Sequence, residues 1–310
     1  MKPLGPRPDP LPPGERIMSY GFRAPVFFVA TAFFGSLALA VSLFEKSGRW
    51  QHRIAQAWAR AGVLASGAKI KILHGERLTG QPAVYVANHL SYMDTPVVFS
   101  SLPFQFRIVA RSGLFKLPFI GWWLRRSGQV SVDVGNPRAS IASLVSAVRA
   151  LKSGMPLFIF PEGGRTETGH IAKFMNGPAF MAIRAQLPLV PMALIGTHEL
   201  LPMHSSLVHP VPVTLAVGEP IATLGMTMKQ VDEVTARLEE KIATLYYEHS
   251  WRQRPAQVAP REQNGIVSQP LTPAEAVPET KTGIGAGVGS LEAVSISRDL
   301  QELTEEARRR

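Results

Sequence analysis

An α/β fold with a mostly parallel or mixed sheet flanked by helices is predicted for this 310-residue chain, with an N-terminal membrane-associated helical segment. Two observations predict it. Short apolar runs alternate with helical stretches between about residues 69 and 250, and strands separated by helices favour a parallel sheet. A run of 20 residues without a charge, Pro25–Phe44, is long enough to cross a bilayer as a helix.

The N-terminal region divides into two predicted parts. Residues 1–23 are rich in proline and are predicted to be a disordered leader, and residues 24–45 are predicted to be a transmembrane or membrane-embedded helix. A signal peptide is the alternative, because Ala38–Ala40 resembles a cleavage site. That site lies inside the apolar run, which also exceeds the usual length of a signal-peptide core, so a retained segment is favoured.

Residues 46–68 are predicted to contain an amphipathic helix at the membrane interface. Trp50, Ile54 and Trp58 lie on one side of the helical pattern, with Arg53 and Arg60 on another. Tryptophan side chains are suited to a membrane–water interface. A surface helix that packs on the following domain gives the same pattern, and the sequence leaves both interpretations open.

The α/β domain is assigned to residues 69–250. Asn136 followed by Pro137 is typical of a helix start and predicts a helix to about Lys152. Further helices are predicted at Met175–Ala185 and from about Thr227 to Ser250. Seven strands are predicted: Ile70–Leu73, Ala83–Ala87, Phe106–Ala110, Gln129–Val132, Pro156–Phe160, Leu189–Ile195 and Val213–Val217. Residues 251–310 are predicted to be a mostly disordered tail, because they contain few aromatic residues and much glycine and proline.

Composition narrows the possible chemistry. The chain has no cysteine, which excludes disulfides, thiolate nucleophiles and cysteine-ligated metal sites. Its net charge is +10, all of it in the first 250 residues, because the last 60 hold equal numbers of basic and acidic groups. A basic surface predicts an anionic partner. Since no basic recognition helix or RNA-binding pattern is present, a membrane is predicted as that partner and nucleic acid is not.

The first candidate chemical motif is the segment Asn88–Asp94 (NHLSYMD), directly after an apolar strand. Functional residues tend to lie at the carboxyl ends of strands in open α/β sheets. The His89 imidazole can accept a proton near neutral pH. If a turn precedes the next helix, the Asp94 carboxylate can fold back onto the ring and orient it. A helix cap formed by Ser91 and Asp94 is the structural alternative.

The second motif is Phe160–Thr166 (FPEGGRT), which also follows an apolar strand. Gly163 and Gly164 expose backbone N–H groups that can bind an anion. Arg165 offers a planar fork suited to phosphate. A tight turn with a solvated arginine is the alternative interpretation.

Together and in this order, these motifs resemble the lysophosphatidic acid acyltransferase family of glycerolipid acyltransferases. NHLSYMD matches the family's histidine, four residues, aspartate block, and FPEGGRT matches its usual FPEGTRS. Between them lie Arg111–Leu114 (RSGL), Pro118–Gly121 (PFIG) and Gly128, and Leu189–Met192 (LVPM) resembles a fourth block. The resemblance covers about residues 50 to 225 and implies that residues 69–250 are a glycerolipid acyltransferase domain.

The resemblance also implies roles for individual residues. His89 matches the catalytic base and Asp94 its partner. The block associated with the acceptor's phosphate is matched by Glu162, Gly163, Gly164 and Arg165. Arg111 stands where the family commonly has lysine, near the substrate phosphate or the oxyanion. Arginine there keeps the charge with a different geometry, and Gly164 in place of threonine removes a hydroxyl, so contacts with the acceptor are open.

The implied reaction moves a fatty acyl group from acyl-CoA or acyl-ACP to a lysophospholipid hydroxyl, with 1-acyl-sn-glycerol-3-phosphate as the expected acceptor and phosphatidic acid as the product. Other acceptors are glycerol 3-phosphate, a lyso-ornithine lipid or another lysolipid. No cofactor or metal is expected, since the remaining histidines lack zinc-type spacing. The domain is expected on a membrane, facing the cytoplasm where the donor is made. A non-catalytic membrane-binding protein on this fold is the rival.

Overall fold

Seven strands form one mixed sheet in the computed structural model, which describes residues 5–45, 47–133 and 137–255. The strand order is β1-β7-β6-β2-β5-β3-β4. Strands β6, β2, β5, β3 and β4 are parallel, whereas β7 is antiparallel to β6 and parallel to β1. The strand bounds are β1 Ile70–Leu73, β2 Val84–Ala87, β3 Arg107–Arg111, β4 Val130–Val132, β5 Leu157–Ile159, β6 Leu189–Ile195 and β7 Val213–Val217.

The predicted α/β class is confirmed, and each of the seven apolar runs contains a strand. The central strands are apolar throughout because both faces of the sheet are covered. In β2, Val84 and Val86 pack into one core, whereas Tyr85 and Ala87 pack into the other. The two-residue repeat of a strand therefore divides consecutive apolar residues between two separate hydrophobic cores.

Helices cover both faces of the sheet. Helices α6, α7 and α9 pack on one core, and helices α3, α4 and α5 pack on the other. The helix bounds are α1 Pro13–Met18, α2 Ala24–Val41, α3 Arg49–Ser66, α4 Asp94–Ser101, α5 Ile120–Arg126, α6 Pro137–Lys152, α7 Gly177–Ala185, α8 Thr197–Leu200 and α9 Val231–His249. The predicted cap Asn136 lies outside the described residues.

The leader requires a correction, because it is helical from Pro13 rather than disordered. Helix α1 continues through one wider turn, Ser19–Arg23, into α2. Proline at the first helical position is favourable, and an ion pair between Arg23 and Glu15 at 2.6 Å stabilises the extension. The continuous helix Pro13–Val41 spans 29 residues and is long and apolar enough to cross a membrane.

Helix α3 packs on the domain and on α2. Its apolar face is buried in the domain core through Ala55, Ala59 and Val63. The indole of Trp58 donates to Thr31 of α2 at 2.9 Å. Trp50 is exposed. The packing alternative therefore describes most of this helix, and Trp50 is the tryptophan that remains free to meet an interface.

The domain extends beyond residue 250, where the sequence predicted a disordered tail to begin. Trp251 and Arg252 both donate hydrogen bonds to the buried carboxylate of Glu199. A buried carboxylate requires such partners, so this short segment is fixed to the domain. The rest of the predicted tail, from residue 256, lies outside the described residues.

Candidate active site

Two loops meet at the carboxyl edge of the sheet, because the strands before them are parallel neighbours. Val86 of β2 is in register with Ile159 of β5. The residues that follow each strand therefore emerge side by side. We call residues 88–94 the histidine loop and residues 161–166 the glycine loop.

The histidine loop is fixed at its start by Asn88, which is fully buried. The Asn88 amide donates to the Leu194 carbonyl at 2.9 Å and accepts from the Leu194 N–H at 2.8 Å. These two bonds attach the loop to the neighbouring strand β6. The backbone position of His89 is thereby defined by the sheet itself.

His89 and Asp94 form a directly bonded pair. His89 Nδ1 lies 2.9 Å from Asp94 Oδ2, and the same oxygen accepts the N–H groups of Leu90 and Ser91 at 2.7 Å each. The Asp94 side chain is fully buried, whereas that of His89 is 19% exposed. Asp94 begins helix α4, and the Ser91 hydroxyl accepts the Met93 N–H. The carboxylate therefore folds back onto the ring, and by accepting the Ser91 N–H it also makes one of the two hydrogen bonds of a capping box.

The pair fixes the chemical form of the imidazole. An ionised carboxylate only accepts hydrogen bonds, so Nδ1 carries the proton that it donates to Asp94. Nε2 then keeps its lone pair, and this is the nitrogen that can take a proton from a substrate hydroxyl. A carboxylate in this position would also stabilise the imidazolium that such a transfer forms.

Two residues at the start of the second motif hold His89 from other directions. The Phe160 ring stacks on the imidazole with a centroid separation of 4.0 Å and an interplanar angle of 10°. Glu162 Oε2 accepts the backbone N–H of His89 at 2.5 Å. These contacts join the two loops and restrict movement of the imidazole ring.

Glu162 differs from the other substrate-binding candidates in its burial. Its side chain is fully buried, and its carboxylate faces the backbone of the histidine loop. A buried carboxylate repels a phosphate rather than binding it. The structure therefore places Glu162 against the histidine loop, and its part in substrate binding stays a prediction.

Gly163, Gly164 and Arg165 form the accessible part of the glycine loop, and all three are half-buried. Gly163 has a φ of 65°, a left-handed conformation that glycine adopts without a steric cost. The Arg165 guanidinium lies over the ring of Tyr92, with Cζ 3.4 Å from the ring centroid. This cation–π contact places a positive charge beside the histidine loop.

Arg111 is the last residue of β3, the strand next to β5. Since β3 and β5 are parallel, Arg111 ends at the same edge of the sheet as the two loops. Its side chain is exposed. Arg111 and Arg165 therefore both place permanent positive charge at this edge.

A polar cluster borders the glycine loop on the side of helix α8. Arg252 donates to Glu199 at 2.9 Å, to the Nδ1 atom of His198 at 3.0 Å and to the Thr168 carbonyl at 3.1 Å. Burial lowers the pKa of His198. A neutral His198 is consistent with its geometry, because Nδ1 accepts from Arg252 and Nε2 donates to the Glu167 carbonyl at 3.1 Å.

The sequence predicted that His89 and Asp94 follow the carboxyl end of a strand, and the structure places the glycine loop and Arg111 at the same edge of the sheet. It brings His89, Asp94 and Glu162 into direct contact. Sequence reasoning missed Tyr92 and Phe160 as contact residues. Each lies inside one of the two motifs, so the sequence showed an aromatic residue in each. It did not show that the aromatic residue of one loop contacts the other loop.

Comparisons with known proteins identify relatives of this chain. Residues 69–195 match the family model described as Acyltransferase. A chloroplastic 1-acyl-sn-glycerol-3-phosphate acyltransferase of Arabidopsis thaliana is 34% identical over 168 residues, covering 53% of this chain and 47% of that protein. An acyltransferase of the same name from Chlamydomonas reinhardtii is 32% identical over 218 residues, covering 66% and 65%. The chain spans about half the length of several relatives that it matches.

The fold is also similar to a solved structure. The crystal structure of the 1-acyl-sn-glycerophosphate acyltransferase PlsC from Thermotoga maritima aligns with a TM-score of 0.63 and 22% identity. The alignment covers 75% of this chain and 97% of that one. At this identity the likeness is one of fold. The Acyltransferase family model matches residues 69–195, a range that contains both loops.

Proposed function

We propose that this protein is a membrane-associated O-acyltransferase. It transfers a fatty acyl group from acyl-CoA or acyl carrier protein to the free hydroxyl of 1-acyl-sn-glycerol-3-phosphate, and the product is phosphatidic acid. The observation that carries the proposal is the 2.9 Å contact between His89 Nδ1 and Asp94 Oδ2, which leaves Nε2 as a base at the open edge of the sheet.

The proposed reaction is a direct transfer. His89 Nε2 takes the proton from the acceptor hydroxyl while the oxygen attacks the thioester carbonyl. Asp94 stabilises the imidazolium. The tetrahedral intermediate collapses, the carbon–sulfur bond breaks, and the departing thiolate receives the proton from His89. Backbone N–H groups near Gly163, with the charge of Arg111, are placed to stabilise the oxyanion.

The acceptor is proposed from the charges at the site and from the relatives. Arg165 and Arg111 supply two cations, and each can bind a phosphate through two parallel hydrogen bonds. Relatives at 30–34% identity carry the name 1-acyl-sn-glycerol-3-phosphate acyltransferase. These points favour a phosphorylated lysolipid over an acceptor without phosphate.

The location is proposed from the N-terminal helix. Phe28 and Phe33 are 71% and 62% exposed on α2, where water is an unfavourable neighbour for such rings. A bilayer that covers them also brings the active site to its lipid substrates. Since both thioester donors are cytoplasmic metabolites, the domain is proposed to face the cytoplasm.

Purified full-length protein tests the reaction. It is supplied with acyl-CoA or acyl carrier protein and with an acceptor panel: lysophosphatidate, glycerol 3-phosphate, a lyso-ornithine lipid and lysophosphatidylcholine. Products are identified by mass spectrometry. Phosphatidic acid formed fastest from lysophosphatidate supports the proposal. Faster transfer to another acceptor would make that acceptor the substrate in place of lysophosphatidate. A protein that binds both substrates but transfers no acyl group supports the non-catalytic rival.

Liposome flotation tests the location. The double substitution Phe28→Asp with Phe33→Asp is expected to reduce recovery of the protein with floated vesicles, because charges are costly in hydrocarbon. Leu224→Asp serves as the matched control, since Leu224 is 82% exposed on the domain. Equal recovery of all three proteins contradicts membrane attachment through α2.

A further inference from the structure

Tyr92 is the residue of the histidine loop that faces outward. Its neighbours Met93 and Asp94 are buried, as is Leu90. Tyr92 is 53% exposed, so its ring is not part of either hydrophobic core. Because the buried neighbours and the Ser91 hydroxyl fix the loop, the backbone presents the Tyr92 ring in one direction.

The Tyr92 ring contacts the guanidinium of Arg165, whose Cζ lies 3.4 Å from the ring centroid. Arg165 follows two glycines, and a side chain after a glycine pair has few local restraints on its direction. The Tyr92 ring supplies such a restraint from the other loop. Arg165 Nη1 is buried and makes no hydrogen bond within the described part of the chain.

The kind of partner matters for what Arg165 can still bind. Arg23 and Arg252 are paired with carboxylates, which use N–H donors and neutralise the charge. An aromatic face holds a guanidinium through its π-system instead. The N–H donors lie at the rim of the planar group, so those that the protein does not cover remain able to contact a phosphate. Arg165 is therefore held in place with its charge and donors preserved.

We infer that Tyr92 is a positioning residue that holds the Arg165 guanidinium ready for the acceptor's phosphate, and so sets the preference for phosphorylated acceptors. The inference rests on the proposed function. Tyr92 acts through Arg165 and takes no part in the proton transfer at His89. Its loss is thus expected to weaken binding of the phosphorylated acceptor while the chemical step continues.

Kinetics of Tyr92→Leu and Tyr92→Phe test this inference. With saturating acyl donor, Tyr92→Leu is expected to raise KM for lysophosphatidate roughly three- to tenfold, the range of a partly exposed cation–π contact, with kcat nearly unchanged. Tyr92→Phe keeps the aromatic face and is expected to match wild type. Because the ring is half exposed, both variants are expected to have the same melting temperature as the wild type.

A double-mutant cycle with Arg165→Ala separates coupling from a local effect. If the ring acts through Arg165, adding Tyr92→Leu to Arg165→Ala raises KM no further. Additive increases overturn the inference, as does a fall in kcat at constant KM. A Tyr92→Phe variant as impaired as Tyr92→Leu also overturns it, because the hydroxyl rather than the ring face is then responsible.

A binding measurement separates this inference from the reaction on which it rests. The dissociation constant of lysophosphatidate is measured by calorimetry in the His89→Ala background, where turnover is blocked, with and without Tyr92→Leu. Weaker binding with Tyr92→Leu supports the inference. Unchanged binding overturns it even if the wild type is active, whereas a wild type that transfers no acyl group to any acceptor overturns the proposed function itself.

Discussion

The histidine loop and the glycine loop follow neighbouring parallel strands, yet they differ in how they are held. Asn88, Ser91 and Asp94 of the histidine loop are fully buried and hydrogen-bonded to the surrounding backbone. In the glycine loop, Gly163 and Arg165 are only half-buried. A base must keep its geometry within a fraction of an ångström, whereas a group that binds a mobile headgroup can adapt to it.

Under the proposed function, the difference separates the chemical step from the choice of acceptor. Substitutions in the histidine loop are expected to change the rate of the chemical step for every acceptor. Substitutions at the accessible end of the glycine loop are expected to change which acceptor is used. Glu162 lies in the glycine loop, but its carboxylate accepts the N–H of His89 in the histidine loop. A substitution at Glu162 therefore tests this division directly.

The largest effect is expected for His89→Ala. Loss of a general base is expected to lower kcat by about 10²- to 10⁴-fold, with KM for the acceptor little changed. Steady-state kinetics on folded protein measure it. His74→Ala is the matched control, because the His74 side chain is 53% exposed and follows β1, which runs antiparallel to β6 and so ends at the opposite edge of the sheet. Near-normal kcat in His89→Ala excludes the mechanism.

Asp94→Asn is expected to have the next largest effect on kcat, about 10²-fold. An amide can turn its NH₂ group toward Nδ1, which moves the proton to Nε2 and removes the free lone pair. The loss of a charged acceptor from three hydrogen bonds also lowers the free energy of unfolding, by about 1–3 kcal/mol. If kcat stays within twofold while the protein is destabilised, Asp94 is structural only.

Glu162→Gln sharpens the comparison at the contact between the loops. The amide oxygen can still accept the His89 N–H, but a neutral acceptor is weaker by about 1 kcal/mol, so kcat is expected to fall about fivefold. KM for lysophosphatidate is expected to stay constant. A raised KM with constant kcat in the same assay assigns Glu162 to acceptor binding instead.

The smallest effect is expected within the glycine pair and concerns stability. Gly163→Ala places a side chain at a φ of 65° and is expected to cost about 1 kcal/mol. Gly164→Ala, at a residue without positive φ, is the matched control and is expected to change stability by less than about 0.5 kcal/mol. Chemical denaturation compares the two variants. Equal losses imply that packing, rather than backbone conformation, restricts the loop.

Strand positions were predictable because apolar runs of β-branched residues end at polar or glycine-rich turns, and all seven runs contain strands. The antiparallel orientation of β7 was not predictable, since the same apolar run can form a parallel or an antiparallel strand. The bounds of helices α4 and α5 were not predicted because both helices are short, and short segments give little periodicity. The helix that begins at Pro13 was not predicted, because the ion pair between Arg23 and Glu15 that stabilises it cannot be inferred from a proline-rich composition.

The candidate site was predictable where it depends on local spacing. The contact between His89 and Asp94 lies within one loop, so the interval of five residues was sufficient. The contacts of Tyr92 with Arg165 and of Phe160 with His89 depend on the pairing of β2 with β5. That register is a tertiary property and is not encoded in either motif alone.

The acceptor preference of Arg165→Ala tests the division between the loops most directly. The measurement is the ratio of kcat/KM for lysophosphatidate to that for a lysolipid without an exposed phosphate monoester, in wild type and variant. Loss of a charged hydrogen bond from a partly desolvated site costs about 1.5–3 kcal/mol, so the ratio is expected to fall about ten- to a hundredfold. Arg165→Lys is expected to recover part of it. Equal losses on both acceptors contradict the account, because Arg165 then holds the loop and not the phosphate.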